Sequence, residues 1–203
     1  MRTFLRSYGG LVVTNPPQLS GGYVVVANHT SFLDPIVLGA VNPRRVAFLM
    51  NAVAYRNPLG RWFYRMFRSI PVELSGVGRE AIRAAHEALD GDEVVGVFPE
   101  GGISRHGGLL LGSPGAVALV LSKSVPVVPV GLVGVDRVLP YGKCFPRPRR
   151  IEVRYGDPIA ASELMIGEGR KERLAHATLR IMREIAALTG QTAREDWLAS
   201  VRG

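Results

Sequence analysis

Short runs of apolar residues recur along the chain, and longer stretches with a helical spacing of apolar positions lie between them. Each run is bounded by glycine, proline, asparagine or charged residues, a pattern that is typical of buried strands. The runs predict strands at Tyr23–Ala27, Val46–Met50, Ile70–Glu73, Val94–Phe98, Val127–Val133 and Ile151–Tyr155.

Three of the intervening stretches place apolar residues on one helical face, so they predict helices. They are Gly78–Leu89, Ser113–Ser122 and Arg170–Leu188. In the second, Ser113 suits the N-cap because Pro114 then takes the first helical position. Strands that alternate with helices indicate an α/β fold, a single-domain sandwich with a largely parallel, mixed sheet flanked by helices. In such folds the chemistry usually lies where loops leave the carboxyl ends of the strands.

Length and composition narrow the class of protein. A chain of 203 residues amounts to about one domain, and 47% hydrophobic with 21% charged residues excludes wholesale disorder. The longest strict apolar run, Ala116–Leu121, is far shorter than the roughly 18 residues that a membrane-spanning helix needs. The N-terminal residues lack the apolar stretch of a secretory signal. Nothing at metal-ligand spacing accompanies the single cysteine, Cys144, so no metal site and no internal disulfide is predicted.

The charge balance points to an anionic partner. The chain has 25 Lys and Arg against 17 Asp and Glu, a net charge of +8, and 22 of its basic residues are arginine. Segment 35–72 has six arginines and no acid, and a second basic cluster spans 137–154 with Glu152 as its one acid. Such an excess favours nucleic acid, a phospholipid surface or a phosphate-bearing substrate as the partner.

The first and fourth predicted strands run into polar residues at their carboxyl ends. His29 and Asp34 follow the first strand, and Glu100, two glycines and Arg105 follow the fourth. A carboxylate can hold a nearby imidazole in one tautomer as a general base. On a regular helix, a five-residue separation places two side chains about 140° apart. The pair can therefore meet only across a turn, with Asp34 in or just before the first turn of the next helix. The alternative is that Asp34, which precedes Pro35, is only an N-cap.

Four segments, in order along the chain, match the motifs of one family. They are Asn28–Pro35, which reads NHTSFLDP; Phe98–Gly101, which reads FPEG, with Ser104; Val125–Gly131, which reads VPVVPVG; and Tyr155–Ile159, which reads YGDPI. They resemble the glycerolipid acyltransferases, the lysophosphatidate acyltransferase family, whose first motif is H-x-x-x-x-D. The resemblance covers about Val24 to Ile159. It implies one acyltransferase domain over 1–203, with a motif-bearing part at about 23–160 and a C-terminal helical segment at about 162–203.

The resemblance implies transfer of a fatty acyl group from acyl-CoA or acyl carrier protein to a lipid hydroxyl, without a cofactor. The implied acceptor is 1-acyl-glycerol-3-phosphate, which would give phosphatidate. His29 would deprotonate the acceptor hydroxyl, and Asp34 would orient the imidazole. The sequence has no G-x-S-x-G elbow, which agrees with direct attack without an enzyme nucleophile. The implied acceptor site comprises Glu100, Gly101, Gly102, Ser104, Arg105 and Arg68.

Two positions depart from the family pattern. Ile103 stands where the third motif usually has an arginine, and Leu74 stands where the second motif usually ends in one. An arginine fork binds a phosphate group, whereas an apolar side chain cannot. Either Arg105, with Arg68 or Arg79, reaches the acceptor phosphate from another direction, or the natural acceptor has a less charged head group.

A dinucleotide-binding enzyme is a competing interpretation. Gly76–Ala81 fits G-x-G-x-x-A before a predicted helix, and Glu100 lies about where a ribose-binding acid is expected. That reading leaves His29 and Asp34 without a role.

A non-catalytic binding module is the other alternative. Arg56–Arg68 interleaves arginines with aromatic residues, which suits nucleic acid or an interfacial helix at a bilayer. The alternative is that half of those aromatics are simply core residues. The first predicted strand begins close to the start of the sequence, so we expect no N-terminal anchoring helices of the kind many relatives have. An acyltransferase without them needs a lipid-binding surface. We therefore expect a cytoplasmic protein on the inner face of an anionic membrane, with no nucleic-acid partner.

Overall fold

The structure is a computed structural model that describes residues 10–51, 69–72, 78–105 and 108–192. Within these ranges the strands are β1 Leu11–Thr14, β2 Tyr23–Ala27, β3 Val46–Asn51, β4 Ile70–Val72, β5 Val94–Val97, β6 Val127–Val133 and β7 Ile151–Tyr155. The helices of the same ranges are α1 Asp34–Val41, α2 Arg79–Asp90, α3 Pro114–Leu121, α4 Val135–Val138, α5 Ala161–Leu164 and α6 Arg170–Thr189.

The strands form one mixed sheet in the order β1-β7-β6-β2-β5-β3-β4. From β6 to β4, every neighbouring pair in that order is parallel. Strand β7 runs antiparallel to β6, and β1 runs parallel to β7. The predicted α/β fold with a largely parallel, mixed sheet is confirmed. Strand β2 lies between β6 and β5, and all of its residues are buried.

Helices cover both faces of the sheet and bury the side chains that alternate along each strand. Val24 and Val26 of β2 belong to one core cluster, which includes residues of α2, α3 and α6. Tyr23, Val25 and Ala27 of the same strand belong to a second cluster, which includes residues of α1 and α4. This covering on two sides explains why β2 and β6 are nearly continuous apolar runs, whereas β7, which reads IEVRY, alternates.

The predicted strands and helices agree with the observed ones to within one residue at each end, over the residues that the structure describes. Elements β1 and α4 were not predicted, α1 was predicted only as a helix that begins near Asp34, and α5 only as part of the helical segment at about 162–203. Three of them are four residues long, too short for a period to stand out. Helix α1 is apolar on most sides, so it lacks an amphipathic pattern. Asp34 is nevertheless in its first turn, as the spacing argument requires.

Some predictions concern residues outside the described ranges. They are the arginine and aromatic segment Arg56–Arg68, including the proposed acceptor residue Arg68, and also Glu73, Leu74, Gly76 and Val77. Among the described residues, no helix has the length and apolar character that crossing a bilayer requires.

Candidate active site

The carboxyl ends of β2, β5 and β6 meet at one edge of the sheet, because these neighbouring strands are parallel. Val26 of β2 pairs with Val97 of β5, so the residues that follow the two strands leave the sheet side by side. His29 and Glu100 are among those residues. The structure therefore brings the first and third sequence motifs together at the edge where α/β folds carry their chemistry.

His29 and Asp34 meet across the turn that leads from β2 into α1. The His29 Nδ1 atom lies 2.9 Å from Asp34 Oδ2, and the Asp34 side chain is fully buried whereas that of His29 is 17% exposed. The same carboxylate oxygen accepts the backbone N–H of Thr30 at 2.6 Å and that of Ser31 at 2.7 Å. The turn thus wraps around Asp34, which fixes both the imidazole and the backbone between the two residues.

Asp34 does not cap α1. Leu33 occupies the N-cap position, and no side-chain capping bond is made there. The Asp34 carboxylate bonds instead to groups that precede the helix, so the interpretation of Asp34 as only a cap is wrong. Burial raises the pKa of this carboxyl, and the hydrogen bonds from His29, Ser31 and Thr30 oppose that rise.

Glu100 holds the backbone of His29 in place. Its Oε1 accepts the His29 N–H at 2.7 Å, and its Oε2 accepts the Leu110 N–H at 2.8 Å. The Ser104 N–H donates to the His29 carbonyl at 2.8 Å, so both backbone groups of His29 bond to the segment after β5. Burial raises the pKa of Glu100 to about 7, and the bonds from Leu110 and His29 oppose the rise. A direct contact between Glu100 and the acceptor stays a prediction.

Aromatic rings support the His29 imidazole. The Phe98 ring stacks on the imidazole with centroids 4.2 Å apart and planes 21° apart. The Phe48 ring lies parallel to Phe98 with a centroid separation of 5.8 Å, and Phe48 is only 1% exposed. Packing from the core therefore restrains the imidazole in addition to its bond with Asp34. Sequence reasoning missed this column, because nothing in the motif spacing indicates which rings stack.

Two further residues of the first motif bond to β6 and to the segment that follows it. The Asn28 amide donates to the Leu132 carbonyl at 2.9 Å and accepts the Leu132 N–H at 2.7 Å. The Ser31 hydroxyl donates to the Leu139 carbonyl at 2.8 Å. Sequence reasoning missed these bonds as well. A signal existed for Asn28, since a polar residue at the end of a buried strand needs hydrogen-bond partners.

The two glycines after Glu100 shape a tight turn. Gly101 has φ of +68°, a conformation that favours glycine, and its N–H donates to the Phe98 carbonyl at 3.2 Å. Gly101 and Gly102 are both exposed. The Gly101 amide thus closes the turn, and a contact of these glycines with substrate stays a prediction.

Arg105 lies next to Ser104, the residue that bonds to the His29 carbonyl. It directly follows Ser104, which is buried and bonded to the His29 carbonyl. Its guanidinium carbon lies 5.0 Å from the centroid of the Tyr141 ring. Ile103, at the position where the family pattern has an arginine, is half-buried. Of the predicted site residues, the structure therefore brings His29, Asp34, Glu100 and Ser104 into contact and places Arg105 beside them.

The comparisons with known proteins agree with the motifs. A family model described as Acyltransferase matches residues 10–133, which is more than half of the chain. The chain belongs to the acyltransferase family. The resemblance to the lysophosphatidate acyltransferases is thereby confirmed, and family membership implies a lipid acceptor and an acyl donor.

Three relatives of this acyltransferase differ in how much of their own length aligns with it. The 1-acyl-sn-glycerol-3-phosphate acyltransferase of Bacillus subtilis is 25% identical over 93% of this chain and 92% of its own length. A Dictyostelium discoideum protein named Taffazin is 30% identical over 73% of this chain and 58% of its own length. The crystal structure of the 1-acyl-sn-glycerophosphate acyltransferase PlsC from Thermotoga maritima matches with a TM-score of 0.68 and 25% identity, over 95% of this chain and 78% of that one.

The dinucleotide interpretation is wrong for this acyltransferase. The family match spans the glycine fingerprint and Glu100, the acid that was assigned to a ribose. Both oxygens of Glu100 accept backbone N–H groups. These two bonds give Glu100 a role beside His29 that requires no nucleotide.

Proposed function

We propose that this acyltransferase moves a fatty acyl group from a thioester donor to the free hydroxyl of 1-acyl-glycerol-3-phosphate, giving phosphatidate. The Bacillus subtilis and Thermotoga maritima relatives carry the name of an acyltransferase for this class of acceptor. The observation that carries the proposal is the His29–Asp34 pair, with 2.9 Å between Nδ1 and Oδ2, at the carboxyl edge of the sheet.

Asp34 determines which imidazole nitrogen can act as the base. Because Asp34 Oδ2 accepts the proton carried by Nδ1, the lone pair resides on Nε2. The His29 side chain is partly exposed, as a base that meets its substrate must be. The ionised carboxylate then stabilises the imidazolium that forms during the reaction.

The reaction is a direct transfer between two substrates. His29 Nε2 takes the proton of the acceptor hydroxyl while the hydroxyl oxygen attacks the thioester carbonyl carbon. The tetrahedral intermediate then collapses, the carbon–sulfur bond breaks, and the thiolate receives the proton from the imidazolium. An ester replaces the thioester, and His29 returns to its neutral form.

Arg105 is our candidate for the acceptor phosphate. A phosphate monoester carries about two negative charges near neutral pH, and an arginine offers it a fork of N–H donors. The Arg105 guanidinium carbon lies over the Tyr141 ring, 5.0 Å from its centroid. A guanidinium that lies over an aromatic face can still use its N–H donors to bind an anion. The neighbouring residue, Ser104, bonds to the His29 carbonyl. A phosphate bound by Arg105 would therefore lie near the residue that takes the proton.

A lysolipid with an uncharged head group is the second candidate acceptor. Ile103 favours it, because an apolar side chain facing a phosphate would desolvate that group without offering a hydrogen bond. The donor is proposed to be acyl-CoA or acyl carrier protein. We place the enzyme in the cytoplasm, on the inner face of an anionic membrane, because its acceptor is a lipid and its net charge is +8.

The test is to incubate the enzyme with labelled acyl-CoA or acyl carrier protein and a panel of lysolipids, and to identify products by mass. We expect phosphatidate from lysophosphatidate. Product formed only with uncharged lysolipids supports the second candidate, and no product with any lysolipid overturns both.

A substitution tests the acceptor site separately. Arg105→Ala should raise the KM for lysophosphatidate by roughly ten- to a hundredfold, because a charge-assisted hydrogen bond contributes about 1.5–3 kcal/mol. The KM for the donor should not change. Arg83→Ala, at an exposed position on α2, is the matched control. Unchanged lysophosphatidate kinetics in Arg105→Ala would remove Arg105 from the acceptor site.

A further inference from the structure

Residues 141–150, between α4 and β7, form a basic segment in which every residue is exposed to solvent, which we name the 141–150 loop. Its sequence has no acid and contains Lys143, Arg147, Arg149 and Arg150. Phe145, in their midst, is 84% exposed. One solvated aromatic ring with cations on both sides is the combination that an interfacial membrane contact uses.

Backbone hydrogen bonds give this loop a defined shape. The Lys143 N–H donates to the Pro140 carbonyl at 3.0 Å, and the Arg147 N–H donates to the Val138 carbonyl at 2.7 Å. Phe145 lies between these two bonds. Its exposure is therefore a property of a structured, closed loop.

The loop is also fastened to the turn that holds the catalytic pair. Tyr141 stacks on Phe32 of that turn, with ring centroids 5.8 Å apart. Both rings are exposed in part, Phe32 by 56% and Tyr141 by 43%. The hydrogen bond from the Ser31 hydroxyl to the Leu139 carbonyl makes a second connection. Whatever the 141–150 loop contacts is consequently brought close to the catalytic turn.

The positive charge of the loop is largely uncompensated. Arg150 pairs with Glu152 at 3.0 Å. Among the residues that the structure describes, no acid lies within salt-bridge distance of Lys143, Arg147 or Arg149. Three exposed cations around one aromatic ring therefore remain available to an anionic surface.

We propose that the 141–150 loop docks this enzyme on an anionic phospholipid surface. Phe145 enters the headgroup region, and Lys143, Arg147 and Arg149 contact lipid phosphates. Docking in this way sets the catalytic turn at the lipid surface, where a lysolipid acceptor is held. The benefit to catalysis rests on the proposed function, whereas the docking itself does not. A lipid surface is favoured over nucleic acid because the loop contacts the turn that carries His29 and Asp34, and because the acyltransferase family has a lipid acceptor.

The first test is sedimentation with vesicles of phosphatidylglycerol and phosphatidylcholine, compared with phosphatidylcholine alone. Each basic residue near such a surface is worth about a fivefold change in partitioning, so the triple variant Lys143→Gln, Arg147→Gln, Arg149→Gln should bind anionic vesicles about a hundredfold more weakly. The control Arg83→Gln, Arg170→Gln, Lys171→Gln removes the same charge from exposed positions elsewhere and should change binding by less than about fivefold. An equal loss in both triple variants, or equal wild-type binding to the two vesicle types at low salt, would overturn the proposal.

The apolar contact has its own variants. Phe145→Ser should weaken binding by roughly tenfold, from the loss of a buried aromatic ring. Ile166→Ser removes another exposed apolar residue, 61% exposed, and should have no effect. Tighter binding of the wild type to duplex or single-stranded DNA than to anionic vesicles would assign the loop to nucleic acid and contradict a membrane role.

A fluorescent label on the wild-type protein tests the same proposal without any substitution, in case a variant folds poorly. Cys144 is the single cysteine of the chain and is exposed within the loop. A polarity-sensitive fluorophore on this thiol should shift to shorter wavelength with anionic vesicles and return in high salt. No shift under conditions where the protein sediments would place the contact elsewhere and sink the proposal.

Activity measurements separate this proposal from the proposed function. On a short-chain, monomeric lysophosphatidate the triple loop variant should match the wild type, and on vesicle-borne lysophosphatidate it should be about a hundredfold slower at limiting lipid. Equal loss on both forms would contradict docking. If the wild type acylates neither form but still binds anionic vesicles through the loop, the proposed function fails and docking stands.

Discussion

The carboxylate of Glu100 accepts the backbone N–H of His29, with 2.7 Å between the nitrogen and Oε1. The two residues follow different strands and are 71 positions apart. The second oxygen of Glu100 accepts the Leu110 N–H. An acid that the motif pattern suggests as a substrate contact thus holds the backbone of the candidate base.

The shifted pKa of Glu100 predicts a pH dependence of stability. It lies at about 7 in the folded protein, against an ordinary 4.5. Between these values the folded state binds more protons than the unfolded state, so this group's contribution is fully present below pH 4.5 and is lost as pH rises through 7. The full difference amounts to about 3 kcal/mol at most. Urea unfolding at pH 5, 6 and 7.5 should show the decline in the wild type.

Glu100→Gln should flatten that decline. A glutamine cannot titrate, and it retains one acceptor oxygen for either His29 or Leu110. The unfolding free energy of the wild type minus that of the variant should therefore be largest near pH 5 and smallest above pH 7. Glu80→Gln, on the exposed face of α2, is the control and should keep the wild-type slope. A Glu100→Gln slope equal to that of the wild type would mean that Glu100 does not titrate in this range.

The His29–Asp34 pair, as the proposed base and the carboxylate that orients it, predicts two losses of activity. His29→Ala should lower the rate of acyl transfer by about 10²–10⁴-fold, the usual contribution of a positioned general base. Asp34→Asn should also be slow, because a neutral amide cannot stabilise an imidazolium. Its side-chain oxygen can still accept the N–H groups of Thr30 and Ser31, so the turn should fold.

The measurement for this pair is kcat together with the thermal midpoint. Asp157→Asn, at an exposed position, is the control for removal of a carboxylate. Full activity in Asp34→Asn would leave Asp34 a structural role in the turn and end the interpretation as a catalytic pair.

Much of the fold could be predicted because the core strands are buried on both sides. Burial on two faces requires a continuous apolar run, and such runs predicted the bounds of β2 and β6 without error. The bounds of β7 were also predicted without error, from a sequence that alternates, IEVRY, whose first, third and fifth residues are buried. Within the part of the chain that the structure describes, strand β1 pairs with β7 alone at the sheet edge, and its four residues give too short a run to stand out.

The site could be predicted only in part. Spacing shows that His29 and Asp34 can meet across a turn, but not that Asp34 Oδ2 also collects the N–H groups of Thr30 and Ser31. The bond between Glu100 and His29 joins a side chain to a backbone group through the pairing of β2 with β5. A backbone donor leaves no trace in the residue type, so a single sequence cannot indicate it.

The clamp between Asn28 and Leu132 predicts a loss of stability. Asn28→Ala would leave both the N–H and the carbonyl of Leu132 without their partners in a buried position. Each unsatisfied group costs about 1–3 kcal/mol, so the free energy of unfolding in urea should fall by about 2–6 kcal/mol. Asn28→Asp keeps the acceptor for the Leu132 N–H, and when protonated it can donate to the carbonyl. Its stability should recover at acid pH relative to Asn28→Ala, and the absence of recovery would show that these bonds contribute little.

The stacked rings of Phe48, Phe98 and His29 predict that a methyl group added at Gly96 of β5 disturbs the position of the His29 imidazole. A Cβ at Gly96 would lie 2.5 Å from Phe48 Cδ1 and 2.8 Å from Val46 Cγ1, so Phe48 must move. Phe48 is buried and lies against Phe98, which stacks on His29. Gly96→Ala should therefore lower the unfolding free energy by about 1–3 kcal/mol, the usual cost of overpacking, and should also lower kcat.

A second substitution decides whether the effect passes through Phe48. Phe48→Leu shortens the side chain that the new methyl group would strike, so in the double variant with Gly96→Ala the two losses should be less than additive. Gly169→Ala, which adds a Cβ where nothing lies within 4 Å, is the control and should keep wild-type kcat. Additive effects on stability, or a Gly96→Ala variant with wild-type kcat, would show that the column does not position the imidazole.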